Sequence, residues 1–522
     1  MTSLAKPKPS SAMAAIRRLA AHPLWPWMLI AMGTLLRLRR YLQDRGLMHD
    51  DAQLASNVFS HGLAQLLRPL DIGDQAAPAG FLLLQKCAVT AFGHGELALR
   101  LVPFLASVIV LPVFFLGIRR IAGPAIATAG TAWLALAEPL VRYSSEGKQY
   151  STDVLWATVV LALALAADSL PALAVLGAVG ALLLWFSHPL LFLLGGIGIT
   201  LLLKHLRQGQ HKLALADAAM GILWLGSFAA NYLLISRYYV SNDSLRIYWQ
   251  NQNAFAPLPR SLHDLLWYPK TIAELFHYPL GILPSGNSQG IVFVQAAQVA
   301  LFTAVVVLAL GCFVLARQSK RALGFLILTL SFTLAASAIQ RYPFAERLTL
   351  FFAPLIVLPI AFAVGIEWWR RSPALAALRW LLCAILFVYP VYIQAKYLIH
   401  PEVRYDAKPA ILYVKAHWQT GDAVYLHWGS KVLGDYYLAD QPALAVPAGG
   451  LIHGAFDPNL ETRPRLLADD LLQLRGRPRV WIVFSMGAAG DQQVIEQTLD
   501  RRGKLLDHRQ FNGSAVDLYD LR

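Results

Sequence analysis

About eleven stretches of this sequence are apolar for close to the length that crosses a bilayer, and that repetition limits the fold more than any motif does. A spanning helix needs about 20 mostly apolar residues, because lipid offers no partner to an open backbone. The stretches lie near 19–37, 97–117, 122–138, 151–168, 171–187, 189–204, 214–235, 291–315, 322–339, 348–366 and 378–396. Pro171 and Pro189 mark turns or helix starts among the closely spaced middle runs. Composition agrees: 57% of residues are hydrophobic and 15% charged, against about 25% charged in soluble domains. Disordered, collagenous and disulfide-stapled chains are excluded. Cys87, Cys312 and Cys383 are scattered beside apolar runs and form neither a metal nor a disulfide pattern; they read as buried apolar thiols.

The net charge of +14 raises the question of nucleic acid. Its placement answers it. Residues 1–400 hold 31 of the 45 Lys+Arg and 16 of the 31 Asp+Glu, a net of +15, whereas residues 401–522 hold 14 and 15, a net of −1. The excess therefore belongs to the apolar part. Lys and Arg are densest in one set of short connections, which includes Lys6, Lys8, Arg17, Arg18, Arg119, Arg120, Lys204, Arg207, Arg317, Lys320, Arg321, Arg370 and Arg371. Such density identifies the cytoplasmic side, so the N-terminus is expected inside and, after an odd number of spans, the C-terminal part outside. Arg37-Leu38-Arg39-Arg40 stands where a signal-peptide cleavage site would fall, which argues against removal of the first span. The expected fold is an α-helical polytopic membrane domain over 1–400, with outer loops 38–96 and 237–290, followed by a small extracytoplasmic α/β domain over 401–522. No nucleic acid is expected as a partner, and the expected location is the plasma (inner) membrane.

Within the loops, 53–67, 79–92 and 261–278 are amphipathic and suit either the membrane interface or the cap of a bundle. In the last part, Ala410–His417 and Asp491–Arg502 read as helices. Asp422–His427, Arg479–Phe484 and Ala515–Tyr519 read as strands. Gly487-Ala488-Ala489-Gly490 follows a strand but lacks the spacing of a dinucleotide fingerprint.

Ionisable residues near bilayer depth are candidates for function, and four clusters fall on the expected outer side. In His49-Asp50-Asp51, two adjacent carboxylates suit a general base or a helix cap. Gln75 to Phe81 leads to Lys86 and then to Glu96 and Arg100, which are four apart and suit an ion pair or, for Arg100, a lipid headgroup. Tyr143 to Asp153 is a dense polar run containing Glu146, Lys148 and Tyr150; it suits a hydrated loop or a site. Gln340 to Arg347 offers Arg341 and Arg347 to a phosphate or to interfacial snorkelling. His188 is a lone histidine at a span end and reads as structural. Carboxylates and cations on one face suit a reaction between a lipid phosphate and a hydroxyl.

At these residues the sequence resembles the GT-C superfamily of membrane glycosyltransferases. It is most similar to glycosyltransferase family 39, which includes protein mannosyltransferases and the lipid A aminoarabinose transferase. Asp50-Asp51 resembles the acidic pair of the first outer loop. Pro78 to Arg100 resembles a Pro helix start followed by Gly-x-x-Glu-x-x-x-Arg. Glu146 to Tyr150 resembles Glu-x-Lys/Arg-x-Tyr, and Arg341 to Arg347 resembles a segment Arg-Tyr-Pro…Arg. Order and spacing match over roughly residues 20–400. The resemblance implies a GT-C fold, a polyprenyl-phosphate sugar donor and inverting transfer on the outer face to a lipid, glycan or protein acceptor. It implies Asp50 as the catalytic carboxylate, with Asp51 where many members carry Glu. Ala77 stands where the aminoarabinose transferase has a phosphate-binding Lys, so Lys148, Arg100 and Arg347 are the candidates for that task, with Glu146, Tyr150 and Arg341 beside them. A divalent metal is optional, with His49 and the two carboxylates as weak ligands. Two other readings compete: a transporter or flippase of lipid-linked sugars, and a non-catalytic scaffold. Neither the sugar nor the acceptor is named by the sequence.

Overall fold

The computed structural model describes residues 23–240, 243–283, 291–402, 406–439, 451–454, 463–485 and 489–522. Lys6, Lys8, Arg17, Arg18 and the Gly487-Ala488 turn lie outside these. The membrane part is built from α1 (Trp25–Tyr41), α2 (His49–Ser60), α3 (Ala79–Phe92), α4 (Glu96–Ala122), α5 (Pro124–Leu136), α6 (Tyr150–Leu165) and α7 (Leu170–Leu183). It continues through α8 (Leu190–Arg207), α9 (His211–Asn231), α10 (Asp243–Asn251), α11 (Leu262–Glu274), α12 (Ile291–Gln318), α13 (Lys320–Ala338), α14 (Ala353–Gly365) and α15 (Pro373–Ile399). A helix stands at each of the eleven apolar stretches. Among the described residues seven segments are long and apolar enough to cross a membrane: α4, α8, His211–Ser236, Val294–Gln318, α13, Glu346–Trp369 and α15. The chain is thus a multipass membrane protein. The amphipathic stretches became α2, α3 and α11.

Small residues let these helices approach closely, as they do where lipid supplies no hydrophobic drive. A Cβ on Gly196 of α8 would lie 2.9 Å from the backbone nitrogen of Thr329 on α13, and one on Gly324 of α13 would lie 2.8 Å from the Thr200 methyl group on α8. Each helix therefore carries a notch for a threonine of the other.

Among the described residues α3, α5, α6 and α7 are apolar helices of only 10–17 residues. One of them, α5, has 13 residues. At about 1.5 Å per residue it reaches only about 20 Å, less than the hydrocarbon thickness of about 30 Å. The reason α5 can stop early is visible at its end. Arg37 of α1 donates to the carbonyls of Leu134 (2.7 Å) and Ala135 (3.1 Å), and Gln394 of α15 donates to that of Leu136 (3.1 Å). These acceptors have no partner within the helix, and a guanidinium also complements the negative end of the helix dipole. Arg37 is 1% exposed, so its charge is solvated by backbone.

The C-terminal part forms a five-stranded sheet of order β2-β1-β3-β5-β4. Its strands are β1 (Ala423–Leu426), β2 (Leu451–His453), β3 (Val480–Phe484), β4 (Lys504–Phe511) and β5 (Ser514–Asp520). β1 runs parallel to β2 and β3, and β5 is antiparallel to β3 and β4. The helices here are α16 (Lys408–His417), α17 (Trp428–Ala439), α18 (Arg463–Asp470) and α19 (Ala489–Asp500). Leu467, Ile495 and Leu499 of α18 and α19 share one core with Tyr425, Ile482 and Tyr519. Ile411, Val414 and Leu433 of α16 and α17 share another with Val424, Trp481 and Leu518, and that second core runs on into Leu54, Val58, Phe81 and Leu99 of the outer loops.

Polar bonds reinforce this joint. Lys408 pairs with Glu96 (3.0 Å) and Asp44 (2.5 Å). The Tyr437 hydroxyl donates to Glu96 (2.6 Å) and accepts from the Leu47 amide (2.8 Å). The expected Glu96–Arg100 pair is therefore not made, because Glu96 is claimed by residues 312 and 341 positions away. Arg37→Ala would leave buried carbonyls of α5 without donors, at a cost of about 3 kcal/mol. The expected outcome is a lowered melting temperature in detergent, only partly restored by Arg37→Lys, since one ammonium cannot reproduce the guanidinium fork.

Candidate functional site

Where α5 stops, the chain breaks at Ala137 inside the protein, forms a short helix (Glu138–Arg142) and one 3-10 turn (Tyr143–Ser145), and is irregular over 146–149 before α6. Every residue from Ala137 to Leu155 is buried. Irregular backbone at such depth is tolerated only where protein or a cavity surrounds it. Of the two readings of this run, the hydrated loop is set aside, because the stretch is packed throughout. Arg142 holds it together. Its guanidinium forks onto Glu138 at 2.8 and 2.9 Å and donates to the Tyr278 hydroxyl at 2.9 Å. Glu402 lies 3.6 Å away and also pairs with Arg40 at 3.1 Å. Arg45 donates to the Ser145 carbonyl (2.5 Å) and hydroxyl (2.8 Å). On this base the chain presents Glu146, Lys148 and Tyr150 to a cavity.

The cavity has a volume of about 1890 Å³, and Asp50, Asp51, Glu146, Lys148, Tyr150, Arg341 and Arg347 all line it. Asp50 and Asp51 occupy the first turn of α2, where a helix dipole favours carboxylates. Their environments differ. Asp51 is 4% exposed, and its Oδ2 accepts from the Gly147 amide at 3.1 Å. Burial pushes its carboxyl above the usual aspartate range, against Lys148 and that amide. Asp51 thereby tethers the loop that carries Lys148. Asp50 is 47% exposed, towards the cavity, and meets Arg347 at 3.0 Å. Burial would raise its pKa, but Lys148 and then Arg347 and His49 outweigh it and hold the carboxyl below its ordinary value. Asp50 thus opens on the cavity in its pair with Arg347, whereas Asp51 is committed to the Gly147 amide.

Arg347 donates through Nε to the Tyr150 hydroxyl (3.1 Å), and its guanidinium lies 5.3 Å from the centre of the Trp249 ring. The turn before it bends sharply: Gln340 and Glu346 adopt φ of 57° and 42°, the left-handed region that side chains rarely enter. Lys148 donates to Gln75 Oε1, and Gln75 in turn donates to Gln53 (2.5 Å). Among the described residues no carboxylate lies within ion-pair distance of Lys148. Burial lowers its pKa, while Asp50 and Asp51 raise it. Burial likewise raises the Glu146 carboxyl, with Asp51 adding to the effect.

One expectation is corrected. Arg100 does not reach the cavity. It is 1% exposed and donates to the carbonyls of Arg45 and Gly46, both at 2.9 Å, pinning the stretch of chain that leads into α2. Nor do His49, Asp50 and Asp51 converge as a metal site, since successive helical residues point apart. Among the described residues, the group whose donor atoms do converge is Glu496, His508 and Asp517, in the C-terminal sheet. Sequence reasoning missed Arg45, Gln53, Arg142, Trp249 and Tyr278. Only long-range contacts bring them to the site, and none carried a local signal.

Beyond the charged chamber the cavity wall turns apolar. Leu184, Leu191, Phe192, Phe228 and Ala336 line it, on or beside α7, α8, α9 and α13. In the other direction it runs along α2 to Phe59 and Ser60 and meets Trp428, Lys431 and Tyr436 of α17.

No protein-family model and no curated protein matches the sequence. Among solved structures, ArnT from Cupriavidus metallidurans bound to undecaprenyl phosphate matches with a TM-score of 0.52 at 13% identity, over 95% of this chain and 98% of that one. The same protein in the apo state gives 0.51 and 12%, over 98% of both chains. The oligosaccharyltransferase of Archaeoglobus fulgidus in the apo form gives 0.49 and 11%, over 96% of this chain and 75% of that one. On the likeness to ArnT along nearly the whole length of both chains, this protein has the GT-C fold of membrane glycosyltransferases.

Proposed function

We propose that the protein is an inverting glycosyltransferase that moves a sugar from a polyprenyl-phosphate donor to a hydroxyl acceptor at the outer face of the membrane. The observation that carries this reading is the Asp50–Arg347 pair, placed where a charged chamber meets an apolar groove. A polyprenyl chain suits the groove, and its phosphate suits the cations at the groove's inner end. The neighbour ArnT was solved with a ligand of this class. In this reading residues 1–400 form the catalytic membrane domain and 401–522 an extracytoplasmic domain, with the N-terminus in the cytoplasm.

The residues suit an in-line displacement. The acceptor oxygen attacks the anomeric carbon opposite the phosphate, and Asp50 takes the hydroxyl proton. The bond from the anomeric carbon to the phosphate oxygen breaks, and the electron pair leaves with the phosphate. Lys148, Arg341 and Arg347 meet that charge as it develops. Arg347 first has to leave Asp50. As the donor phosphate draws it away, Asp50 loses one of the cations that depress its pKa and becomes a stronger base. Donor binding thus activates the base.

Asp50→Asn is expected to cut sugar transfer by about 10²–10⁴-fold, the usual share of a general base, while undecaprenyl phosphate still binds. Transfer at the unmodified rate would remove Asp50 from its role. In reconstituted vesicles, movement of labelled lipid across the bilayer with no glycosidic bond formed would favour the flippase reading.

A second expectation concerns pH. The protonated form of Lys148 binds phosphate, and burial places its pKa below the ordinary 10.5. Affinity for undecaprenyl phosphate should therefore rise through the second phosphate ionisation at pH ~6. It should then fall as pH climbs through the lowered Lys148 pKa. Lys148→Arg should move that alkaline fall upward in a binding titration. An alkaline limb at or above the ordinary lysine value of 10.5 in the unmodified protein would dissociate Lys148 from phosphate binding.

A further inference from the structure

The cavity is larger than one substrate requires. Single-ligand pockets occupy about 300–1,000 Å³, and this one reaches about 1890 Å³. Its apolar arm, between membrane helices, is accounted for by a lipid donor under the reading above. The other arm runs away from the membrane helices and ends under the C-terminal domain. The cavity face of α2 forms its floor. Gln53, Ser56 and Ser60 follow at spacings of three and four, which places them on one side of the helix, and all three line the cavity. From Asp50 to Ser60 the helix rises about 15 Å. Trp428 and Tyr436 of α17 form the facing wall, with Lys431 exposed between them.

This wall is set rigidly. Trp428 donates through Nε1 to Asp491 at 2.9 Å, and the same carboxylate bonds His427 at 2.9 Å. The Tyr436 ring stacks against Phe59 of α2, with centroids 5.8 Å apart, and its hydroxyl donates to the His94 carbonyl at 3.2 Å. The arm therefore offers hydroxyls and amides along its floor and aromatic rings along its wall. That mixture fits a ring that is rich in hydroxyls on its edge and in C–H bonds on its face. The arm offers no strand edge to which an extended peptide could add by main-chain bonds, since floor and wall here are helices.

We infer that the arm between α2 and α17 is the acceptor site and that it takes a carbohydrate chain, with Trp428 setting its specificity. The inference rests on the proposed transfer reaction. The hydroxyl that reacts lies at the Asp50 end, and the preceding sugar rings lie along Gln53, Ser56 and Ser60 towards Trp428. The C-terminal domain then acts as a reader of the acceptor.

The test places the photo-reactive residue p-benzoylphenylalanine at Lys431, an exposed position, in the full-length protein in its native membranes. After irradiation and proteolysis, the peptide carrying residue 431 is expected to bear a carbohydrate or glycolipid adduct, identified by its mass and by sensitivity to periodate. A polypeptide adduct, or no adduct, overturns the inference. A second arm uses the captured glycan as acceptor. Trp428→Phe, which keeps an aromatic face but loses the bond to Asp491, and Trp428→Ala are compared with the unmodified protein. Trp428→Ala should raise the acceptor KM by about tenfold without changing the donor KM, and Trp428→Phe should recover most of the loss. An equal rise in both KM values would mean a structural role only. Undecaprenyl phosphate binding to the unmodified protein is measured separately. Its absence would strike the proposed reaction, whereas a peptide adduct with intact lipid binding would strike only the acceptor assignment.

Discussion

The architecture depends on satisfying one irregular stretch of backbone inside a membrane protein. Between Leu136 and Tyr150 the chain is neither a continuous helix nor a solvent-exposed loop. In lipid, each unpaired carbonyl or amide there would cost several kcal/mol. Arg37 and Gln394 close the end of α5, and Arg142 with Glu138 fixes the turn that follows. The donors come from helices at opposite ends of the sequence, so the turn can exist only when those helices have assembled around it.

Charge placement follows from that frame. Asp51 and Asp50 are neighbours in sequence but differ in exposure, and their carboxyl pKa values move in opposite directions from the aspartate value. Such divergence between adjacent acids is how one pair comes to hold two roles. The cations divide in the same way. Arg100 is committed to two carbonyls, whereas Lys148 and Arg347 face the cavity. Lys148 is almost as buried as Arg100 and also hydrogen-bonded, so what separates equivalent residue types here is whether the side chain lines the cavity.

Much of the membrane fold is legible in the sequence, because hydropathy is a local property and every span is rich in Leu, Ala and other apolar residues. Strands β1, β3 and β5 are legible for the same reason: short apolar runs such as Val480–Phe484 stand out among polar neighbours. The weakly apolar β4 and the helix α17 are not, since α17 gains its place through Leu433 and Tyr437 packing on distant loops. The spacing of Glu96 and Arg100 suggests a local pair, yet Lys408 and Tyr437 claim the glutamate. Their convergence depends on contacts between opposite ends of the chain, which no window of sequence reports. Asp50, Lys148 and Arg347 were findable because charge in an apolar chain is conspicuous. Gln53 and Trp249 were not, because a lone amide or indole on an outer segment is ordinary.

The joint between α2 and the C-terminal sheet also bears on the order of assembly. The Leu47 amide finds its acceptor at Tyr437, 390 residues later, and Leu54 and Val58 share a core with Val516 and Leu518. During synthesis, the helix that carries Asp50 emerges among the earliest segments and waits for the last. Its packing is finished only when every span has been inserted and the final strand has paired. The completed chamber is therefore withheld from a nascent chain, and a product truncated before β5 lacks the core against which that helix is seated.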